Sequence, residues 1–467
     1  MDTGLRTRDE TDHLVGTPGH GRVVRALSAP PAVRRIAERL EEAGFETWCV
    51  GGAVRDAFLG HPHLDWDLAT AATPDQVRRL FRRTIPVGIE FGTVGVLDDA
   101  GVMHEVTTFR RDVQTDGRHA VVEFGASLED DLARRDFTIN AIAVSPRSGE
   151  IRDPFGGRRD IELGVVRAVG VPDERMREDR LRALRALRFA ARLGFSIDPD
   201  TWEAIVRSAP HLGRLSRERV KQEIEKTMEQ VRCPSRAFLL WRSSGALAEL
   251  LPELAMQSDL AFFAADHIPL PSSSRRRERI DARRAARILS LFLDLPGAAV
   301  RAALHDLRFS NVDVKTMTRL AETWQVLFAP MGAALAAPMP PEDAVIRQWA
   351  ALTGRTQLAA FLRLSEARWA AMRDAGEPAP TAERVRATYR RALRIAYRDP
   401  IELADLAVDG EDLQRAGIAR GPALGKILRA LLQRVVAEPA RNTPDQLLAY
   451  ARELAPDAEP ESRDVES

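Results

Sequence analysis

Two consecutive glycines, Gly51 and Gly52, separate a short apolar run from a helical pattern, and this boundary constrains the fold more than any other feature. The run Thr47–Val50 is short, apolar and rich in β-forming residues, which predicts a strand that ends at the glycines. Glycine lets the backbone approach a ligand closely, and a helix that begins near Ala53 offers free N–H groups to a phosphate. The stretch therefore predicts a phosphate-binding turn between a strand and a helix.

Two acidic residues, Asp65 and Asp67, follow this turn at a spacing of two. On a strand that spacing places both carboxylates on one face, with Trp66 and Leu68 on the other. Neighbouring carboxylates repel each other unless a cation lies between them. Nucleotidyl transfer needs such a pair, because Mg²⁺ activates the attacking hydroxyl and neutralises a triphosphate. The alternative is an edge strand with solvated aspartates, and the nearby glycine turn and Arg55 disfavour it.

Composition limits where a ligand-binding surface can lie. The chain has 467 residues, enough for roughly three or four domains. Its 68 basic and 68 acidic residues cancel, so any RNA binding must come from local basic faces. No apolar run approaches the ~20 residues of a membrane helix, and the N-terminus has no signal-peptide core. We expect a cytoplasmic protein that makes no membrane contact, in which Cys49 and Cys233 are reduced core thiols.

Residues up to about 160 mix short β patterns with helical ones, which predicts an α+β unit. Helical spacing at 33–43 and the Thr73-Pro74 pair predict two helices, the second with Thr73 as its N-cap. Strand patterns at 93–97 and 102–108 form a hairpin. Glu105 lies on the second strand of that hairpin and is a candidate third acid beside the aspartates.

Charged stretches follow the hairpin. We interpret 109–127 as a mobile loop, 134–143 as a turn that enters an apolar strand, and 153–157 as a turn. From about residue 173 the pattern is helical almost throughout. The predicted organisation is a disordered lead-in at 1–27, a mixed α/β head at 28–160, a helical neck at 161–230, a helical body at 231–372, a helical tail at 381–455 and a disordered acidic end at 456–467.

A row of arginines marks the start of the helical half. The predicted helix has an apolar face and, beside it, a face on which charged residues recur every three positions: Asp179, Arg182, Arg185 and Arg188. Solvated arginines on an amphipathic helix are the simple interpretation. Like charges along one face repel each other, however, and an anionic partner would relieve that repulsion. A helix that begins near Ser216 is expected to brace this one.

Asp179 and Arg182, if held on one helix, have the chemistry to imitate the Watson–Crick edge of a base. The carboxylate accepts from the exocyclic amine of cytosine or adenine, and the guanidinium donates to ring nitrogen and carbonyl acceptors. Uracil and guanine would leave polar groups unpaired at roughly 1–3 kcal/mol each. The pair could therefore select CTP and ATP without a nucleic-acid template.

The motifs, taken in order, match a known family. They are Gly51-Gly52-Ala53-Val54-Arg55-Asp56, Asp65-Trp66-Asp67, Glu105-Val106-Thr107-Thr108-Phe109-Arg110, Arg134-Arg135-Asp136-Phe137-Thr138-Ile139-Asn140, Asp153-Pro154-Phe155-Gly156-Gly157, Glu178-Asp179 with the three arginines, and Ser216-Arg217-Glu218-Arg219. On these motifs the chain resembles the class II tRNA nucleotidyltransferases (the CCA-adding enzymes) and their relatives, the bacterial poly(A) polymerases. The resemblance implies a polymerase-β-like head with a mixed sheet, followed by an all-α neck, body and tail.

The resemblance also implies roles for individual residues. Asp65 and Asp67 would bind Mg²⁺ with support from Glu105; Gly52, Arg55 and Arg135 would hold the triphosphate and sugar; Asp179 and Arg182 would read the base with help from Arg185 and Arg188. The tRNA 3′ hydroxyl would attack the α-phosphate of CTP or ATP and release pyrophosphate. The helical half would bind the tRNA acceptor arm, mostly through backbone phosphates.

Departures from the family pattern leave the nucleotide scope open. Many relatives carry a tyrosine before an Asp-x-Arg element, where this chain has Gln114-Thr115 before Asp116. Addition of CCA, of CC only or of the terminal A only therefore remain alternatives. Residues 85–94 resemble the tRNA branch and not the poly(A) branch, although poly(A) polymerase stays a second hypothesis.

The body and the catalytic residues bear on two further alternatives. Residues 286–325 resemble a degenerate phosphohydrolase domain without its His-Asp ligands, so we expect no such activity there. A catalytically inactive RNA-binding protein is the non-enzyme hypothesis. The intact aspartate pair disfavours it, because a binding module has no need for paired acids on a strand.

Overall fold

The structure is a computed structural model, and it describes residues 27–61, 65–115, 120–271 and 277–454. The described chain forms two compact units. The first contains the described residues up to Glu223 together with Arg236–Pro252, and the second contains Ile224–Ser235 and the described residues from Glu253 onward. The predicted disordered ends lie, except for residue 27, outside the described residues. The predicted head, neck, body and tail boundaries stay predictions.

The elements up to Leu250 mix strands and helices. They are α1 (Pro31–Glu42), β1 (Thr47–Val50), α2 (Gly52–Phe58), β2 (Asp67–Thr70), α3 (Pro74–Leu80), β3 (Thr84–Gly88), β4 (Thr93–Leu97), β5 (Met103–Thr108), β6 (Arg110–Thr115), β7 (Ala120–Phe124), α4 (Leu128–Ala133), β8 (Ala143–Val144), β9 (Ile151–Arg152), α5 (Gly157–Leu163), β10 (Val165–Val166), α6 (Pro172–Glu178), α7 (Leu181–Leu193), β11 (Ser196–Ile197), α8 (Pro199–Ser208), α9 (Arg217–Gln230), α10 (Pro234–Ser243) and α11 (Ala246–Leu250).

A seven-stranded mixed sheet organises the first unit, in the order β3-β4-β5-β2-β1-β8-β9. β2 pairs parallel with β5, whereas β1 and β2 are antiparallel. The parallel register sets Leu68 opposite Val106, so the residues just before them, Asp67 and Glu105, are neighbours on adjacent strands. The sheet therefore brings one predicted aspartate and the predicted third acid together.

The two faces of the sheet pack against different parts of the first unit. Helix α1 packs against β1 and β2, and α3 packs against β4 and β5; Leu68 and Val106 are fully buried. Thr73 caps α3 through a capping box with Gln76, as predicted. A second buried cluster includes Val50, Ala69 and Leu132. Because side chains alternate along a strand, Asp67 shares the face of Ala69 and points to the side opposite Leu68.

The interpretation of 109–127 as a loop is wrong over most of that stretch. β6 and β7 pair antiparallel as a two-stranded ribbon, while residues 116–119 lie outside the described part of the chain. Arg111 and Glu123 are directly opposite, and the Arg111 Nε donates to the Glu123 Oε2 at 2.9 Å. One of the charged residues that suggested a loop, Arg111, thus pairs across the ribbon, and Val121 and Val122 of β7 are β-forming residues.

The predicted apolar strand within 134–143 is also wrong in extent. The chain makes a 3₁₀ turn at Thr138–Asn140 and is in the sheet only at Ala143–Val144. The Thr138 hydroxyl donates to the Asp160 Oδ2 at 2.6 Å, and the Asn140 Nδ2 donates to the Asp136 Oδ1 at 2.9 Å. These side-chain hydrogen bonds offer the segment an alternative to strand pairing.

Every regular element that the structure describes from Pro252 onward is a helix, and loops connect these helices. Its helices are α12 (Pro252–Ala255), α13 (Leu260–Asp266), α14 (Arg277–Ser290), α15 (Gly297–Asp306), α16 (Asn311–Ala336), α17 (Asp343–Thr353), α18 (Arg355–Asp374), α19 (Ala382–Arg398), α20 (Gly410–Arg415), α21 (Pro422–Ala437) and α22 (Pro444–Leu454). Among the described residues, none of the helices has the length and apolarity that a bilayer crossing requires. The predicted fold class, an α+β head followed by a helical remainder, is confirmed.

Candidate active site

The glycine turn contains a backbone position, Gly51, that only glycine suits. Gly51 precedes α2 with φ 77°, in the left-handed region. A Cβ atom at this position would lie 3.0 Å from the Nη1 of Arg135. The close approach therefore brings the Arg135 guanidinium directly onto the predicted phosphate turn.

The protein provides acceptors for only some of the hydrogen-bond donors of the Arg135 guanidinium. Its Nη2 donates to the Asp131 Oδ2 at 2.9 Å. Its Nε is buried and has no hydrogen-bond partner within the described chain. A buried N–H without an acceptor is costly, so this atom is a ready donor for an anionic ligand.

The aspartate pair lies at the start of β2. The strand begins at Asp67, so the prediction that both aspartates are strand residues is wrong for Asp65, which precedes the strand. The predicted alternation holds, because Asp65 is exposed and Trp66 is buried. Burial, together with the carboxylates of Glu105 and Asp65, raises the pKa of Asp67 to about 6, and Arg135 opposes this shift.

These carboxylates fit a divalent cation. No side chain or N–H in the described residues donates to Asp65, Asp67 or Glu105, and their mutual repulsion is recorded in the raised pKa of Asp67. A cation between them would remove that repulsion. Within the described residues, no group of three or more acidic, histidine or cysteine side chains is arranged to hold a metal ion, so Asp65, Asp67 and Glu105 do not form a three-ligand site by themselves.

The prediction that Asp179 and Arg182 share one helix is wrong. Asp179 is the extended residue between α6 and α7, with φ −149° and ψ 104°. Its Oδ1 accepts from the Leu181 N–H at 3.0 Å, and its Oδ2 accepts from the Arg219 Nη2 at 2.7 Å. An aspartate that binds the N–H two residues ahead favours a helix start, which explains the break.

The arginines of α7 have anionic partners inside the protein, and these carboxylates relieve the repulsion expected along this face. Arg182 donates to the Glu178 Oε2 at 2.5 Å, and also to the carbonyl oxygens of Arg175 and Arg134. The remaining pairs join α7 to other elements: Arg185 with Asp136 at 2.8 Å, Arg188 with Glu223 at 2.7 Å and Arg192 with Asp56 at 2.8 Å. Sequence spacing could not reveal acids that lie 35 to 136 positions away.

Helix α9 does contact the arginine helix, as its predicted bracing role requires. Arg219 binds Asp179 and Glu223 binds Arg188, so two residues one turn apart on α9 hold both ends of the charged face.

Arg55 is not at the surface of the site. Its side chain is 2% exposed, its Nε donates to the Asp56 Oδ1 at 2.7 Å, and its Nη1 donates to the Asn140 Oδ1 at 2.6 Å. A Cβ atom on Gly52 would lie 3.6 Å from the Arg55 Nη2, so the guanidinium lies directly beneath the turn. Direct contact between Arg55 and a nucleotide stays a prediction.

The structure adds residues that the sequence did not single out. Asp131 orients Arg135, and a chain of contacts links the turn to α7 through Asp56, Asn140, Asp136, Arg192 and Phe189. Asp136 and Asn140 are four positions apart within the Arg134–Asn140 motif. That spacing was the one available signal.

Comparison with known proteins identifies the class. Residues 47–167 match the family model described as "Poly A polymerase head domain", 194–257 match "Probable RNA and SrmB- binding site of polymerase A", and 281–451 match a tRNA nucleotidyltransferase domain 2. The matched head contains the glycine turn and the acidic pair. The fold and site thus define a nucleotidyltransferase, a class whose fold implies the use of a divalent metal.

Full-length relatives define the family more closely. The CCA-adding enzyme of Leuconostoc mesenteroides is 35% identical over 430 residues, which cover 90% of this chain and 96% of that protein. That of Geobacillus kaustophilus is 36% identical, with 90% and 95% covered. The crystal structure of the Bacillus stearothermophilus CCA-adding enzyme in complex with CTP has a TM-score of 0.71 at 32% identity, with 92% and 98% covered. The chain belongs to the CCA-adding enzyme family, which confirms the resemblance.

Proposed function

We propose that this chain adds C and A nucleotides to the 3′ end of tRNA without a nucleic-acid template. One observation carries the proposal: the Arg134-Arg135 pair connects the two halves of the site. Arg135 acts on the Asp67 carboxylate and approaches Gly51, while the carbonyl oxygen of Arg134 accepts from the Arg182 Nη2 at 2.9 Å. The acidic site and the base-reading residues therefore belong to one constellation within the first unit.

The metal is proposed to be Mg²⁺, held by Asp65 and Asp67 with Glu105 beside them. Bound there, it would supply activation of the 3′ hydroxyl and neutralisation of the triphosphate. The protein's own contribution is orientation: Gly51 and Gly52 let the triphosphate approach the backbone, and the unpartnered Nε of Arg135 donates to it.

Base choice is assigned to Asp179 and Arg182. In the free protein the Asp179 carboxylate accepts from Arg219, and the Arg182 guanidinium donates to Glu178. An incoming cytosine or adenine offers the same chemistry, an amine donor for the aspartate and acceptors for the arginine, so it can exchange with these partners. Uracil and guanine cannot replace both, and the groups left unpaired would cost roughly 1–3 kcal/mol each.

In the proposed reaction the tRNA 3′ oxygen forms a bond to the α-phosphate, the bond from that phosphate to the next breaks, and pyrophosphate leaves. Arg185 and Arg188 assist by fixing α7 through their carboxylate partners. The helical part of the chain is proposed to bind tRNA. A Thermotoga maritima CCA-adding enzyme complexed with tRNA shares the fold of this chain, with a TM-score of 0.61 at 20% identity, and this shared fold supports the proposal. We place the enzyme in the cytoplasm.

The test is incorporation of labelled CTP and ATP into tRNA that lacks its CCA end, with Mg²⁺. Asp65→Ala should abolish incorporation without loss of the fold, and Asp179→Ala should relax base choice. Substrates that end before the first C, after CC and after CCA separate full CCA addition from CC-only and A-only addition. Long A tails on generic RNA would identify a poly(A) polymerase. RNA binding without pyrophosphate release would overturn the proposal in favour of a binding protein.

A further inference from the structure

Three arginines of the proposed site lie against one buried aromatic ring, that of Phe189. The guanidinium carbons of Arg55, Arg185 and Arg188 lie 4.9, 5.4 and 4.6 Å from the centroid of the Phe189 ring. Phe189 is 5% exposed. All three arginines are proposed nucleotide-site residues, and they come from two elements, α2 beneath the phosphate turn and α7 with the base-reading face.

The three arginines around the ring are also paired with carboxylates. Arg55 is bound by Asp56, Arg185 by Asp136 and Arg188 by Glu223, each through a separate acid. Arg192 shares Asp56 with Arg55. Guanidinium groups packed this closely repel one another, and neighbouring arginines lower the pKa of Arg55 and of Arg188 beyond the larger effect of burial.

The π face of an aromatic ring is negative and attracts cations, most strongly where water is excluded. A leucine of similar bulk offers no such charge. Phe189 also lies edge-to-face with Phe137, at 5.8 Å and 80°, which fixes the plane of its ring. The ring therefore has a defined orientation from which it can offset the repulsion among the guanidinium groups.

We infer that Phe189 is a positioning residue for nucleotide binding: its ring holds the arginines of α2 and α7 in one arrangement, so that triphosphate and base are held together. The inference rests on the proposed function and extends it to a residue that does not touch the nucleotide. It gives the aromatic character of position 189, and not only its volume, a role in substrate affinity.

A matched pair of substitutions tests this. Phe189→Leu and Phe109→Leu each remove one buried ring from the first unit, at positions that are 5% and 1% exposed. Of these two rings, only that of Phe189 lies against guanidinium groups in the described part of the chain. We expect both to lower the melting temperature by similar amounts. Phe189→Leu should weaken CTP binding about tenfold, equivalent to about 1.4 kcal/mol, whereas Phe109→Leu should change it less than about twofold. Phe189→Tyr should keep CTP affinity within about twofold, because it keeps the ring.

Equilibrium CTP binding without tRNA, KM for CTP, kcat and the CTP-over-UTP preference are measured on the full chain. A raised KM and a lower CTP preference in Phe189→Leu, restored by tyrosine, support the inference. Equal CTP affinities in Phe189→Leu and Phe109→Leu overturn it, and Phe189→Met serves as a second non-aromatic variant if the leucine variant does not fold. A wild-type protein that binds CTP but adds no nucleotide would defeat the proposed function instead, which keeps the two failures distinct.

Discussion

The raised pKa of Asp67 predicts that, without a metal ion, the ionised Asp67 carboxylate lowers the stability of the folded protein. The pKa of this carboxyl rises from the ordinary 3.8 to about 6 on folding. Each pKa unit corresponds to about 1.4 kcal/mol, so keeping Asp67 ionised costs the folded state about 3 kcal/mol at neutral pH. Asp67→Asn should therefore stabilise the first unit by up to about 3 kcal/mol in EDTA at pH 7.5, while abolishing nucleotide addition.

The sign follows from proton binding. Between about pH 4 and pH 6 the folded state binds more protons at Asp67 than the unfolded state does. Wild-type stability relative to the asparagine variant therefore falls as pH rises through this window. This stability difference is small at pH 4 and reaches its full size about one pH unit above the folded pKa of about 6. Mg²⁺ should reduce the stability difference between the wild type and the asparagine variant, because a bound cation stabilises the ionised carboxylate of the wild type only.

Hydrogen exchange of the β1 and β2 amides is the suitable assay, because the chain has two compact units and a single unfolding transition is not assured. Asp99→Asn is the control, since the Asp99 side chain is 95% exposed and the change should leave protection unaltered. Equal protection of wild type and Asp67→Asn at pH 7.5 in EDTA, or an equal gain at pH 4, would refute the reasoning.

Two further substitutions test the surroundings of the site. Glu223→Gln removes the carboxylate that accepts from the Arg188 Nε. Because Arg188 is 3% exposed, this change should destabilise the first unit by about 3–5 kcal/mol in the same exchange experiment. Glu203→Gln, which loses an exposed pair with Arg207, should cost at most about 1 kcal/mol. Comparable losses would contradict the burial argument. Gly51→Ala places a Cβ atom 3.0 Å from a guanidinium nitrogen at a positive φ, so KM for CTP should rise with little change in kcat, and an unchanged KM would remove the turn from the nucleotide site.

Local chemistry explains which elements the sequence predicted well. The strand before Gly51, the capped helix after Thr73 and the 93–108 hairpin depend on neighbouring residues, and all three occur as predicted. The ribbon at β6 and β7 was missed because a charged pair that joins its two strands, Arg111 with Glu123, looks like loop composition along the chain. Asp179 was misplaced because spacing alone does not show whether a residue continues a helix or lies in the turn between two helices.

The sequence by itself determined the kind of chemistry, because a glycine turn, a pair of acids two residues apart and an Asp-x-x-Arg spacing are short-range patterns. Only the tertiary structure decided how those groups are held. It placed Glu105 beside Asp67 through a parallel strand pairing, gave each arginine of α7 its own acid, and gathered three guanidinium groups around Phe189. These contacts join residues far apart in the chain, and their energies depend on burial, which the order of residues does not record.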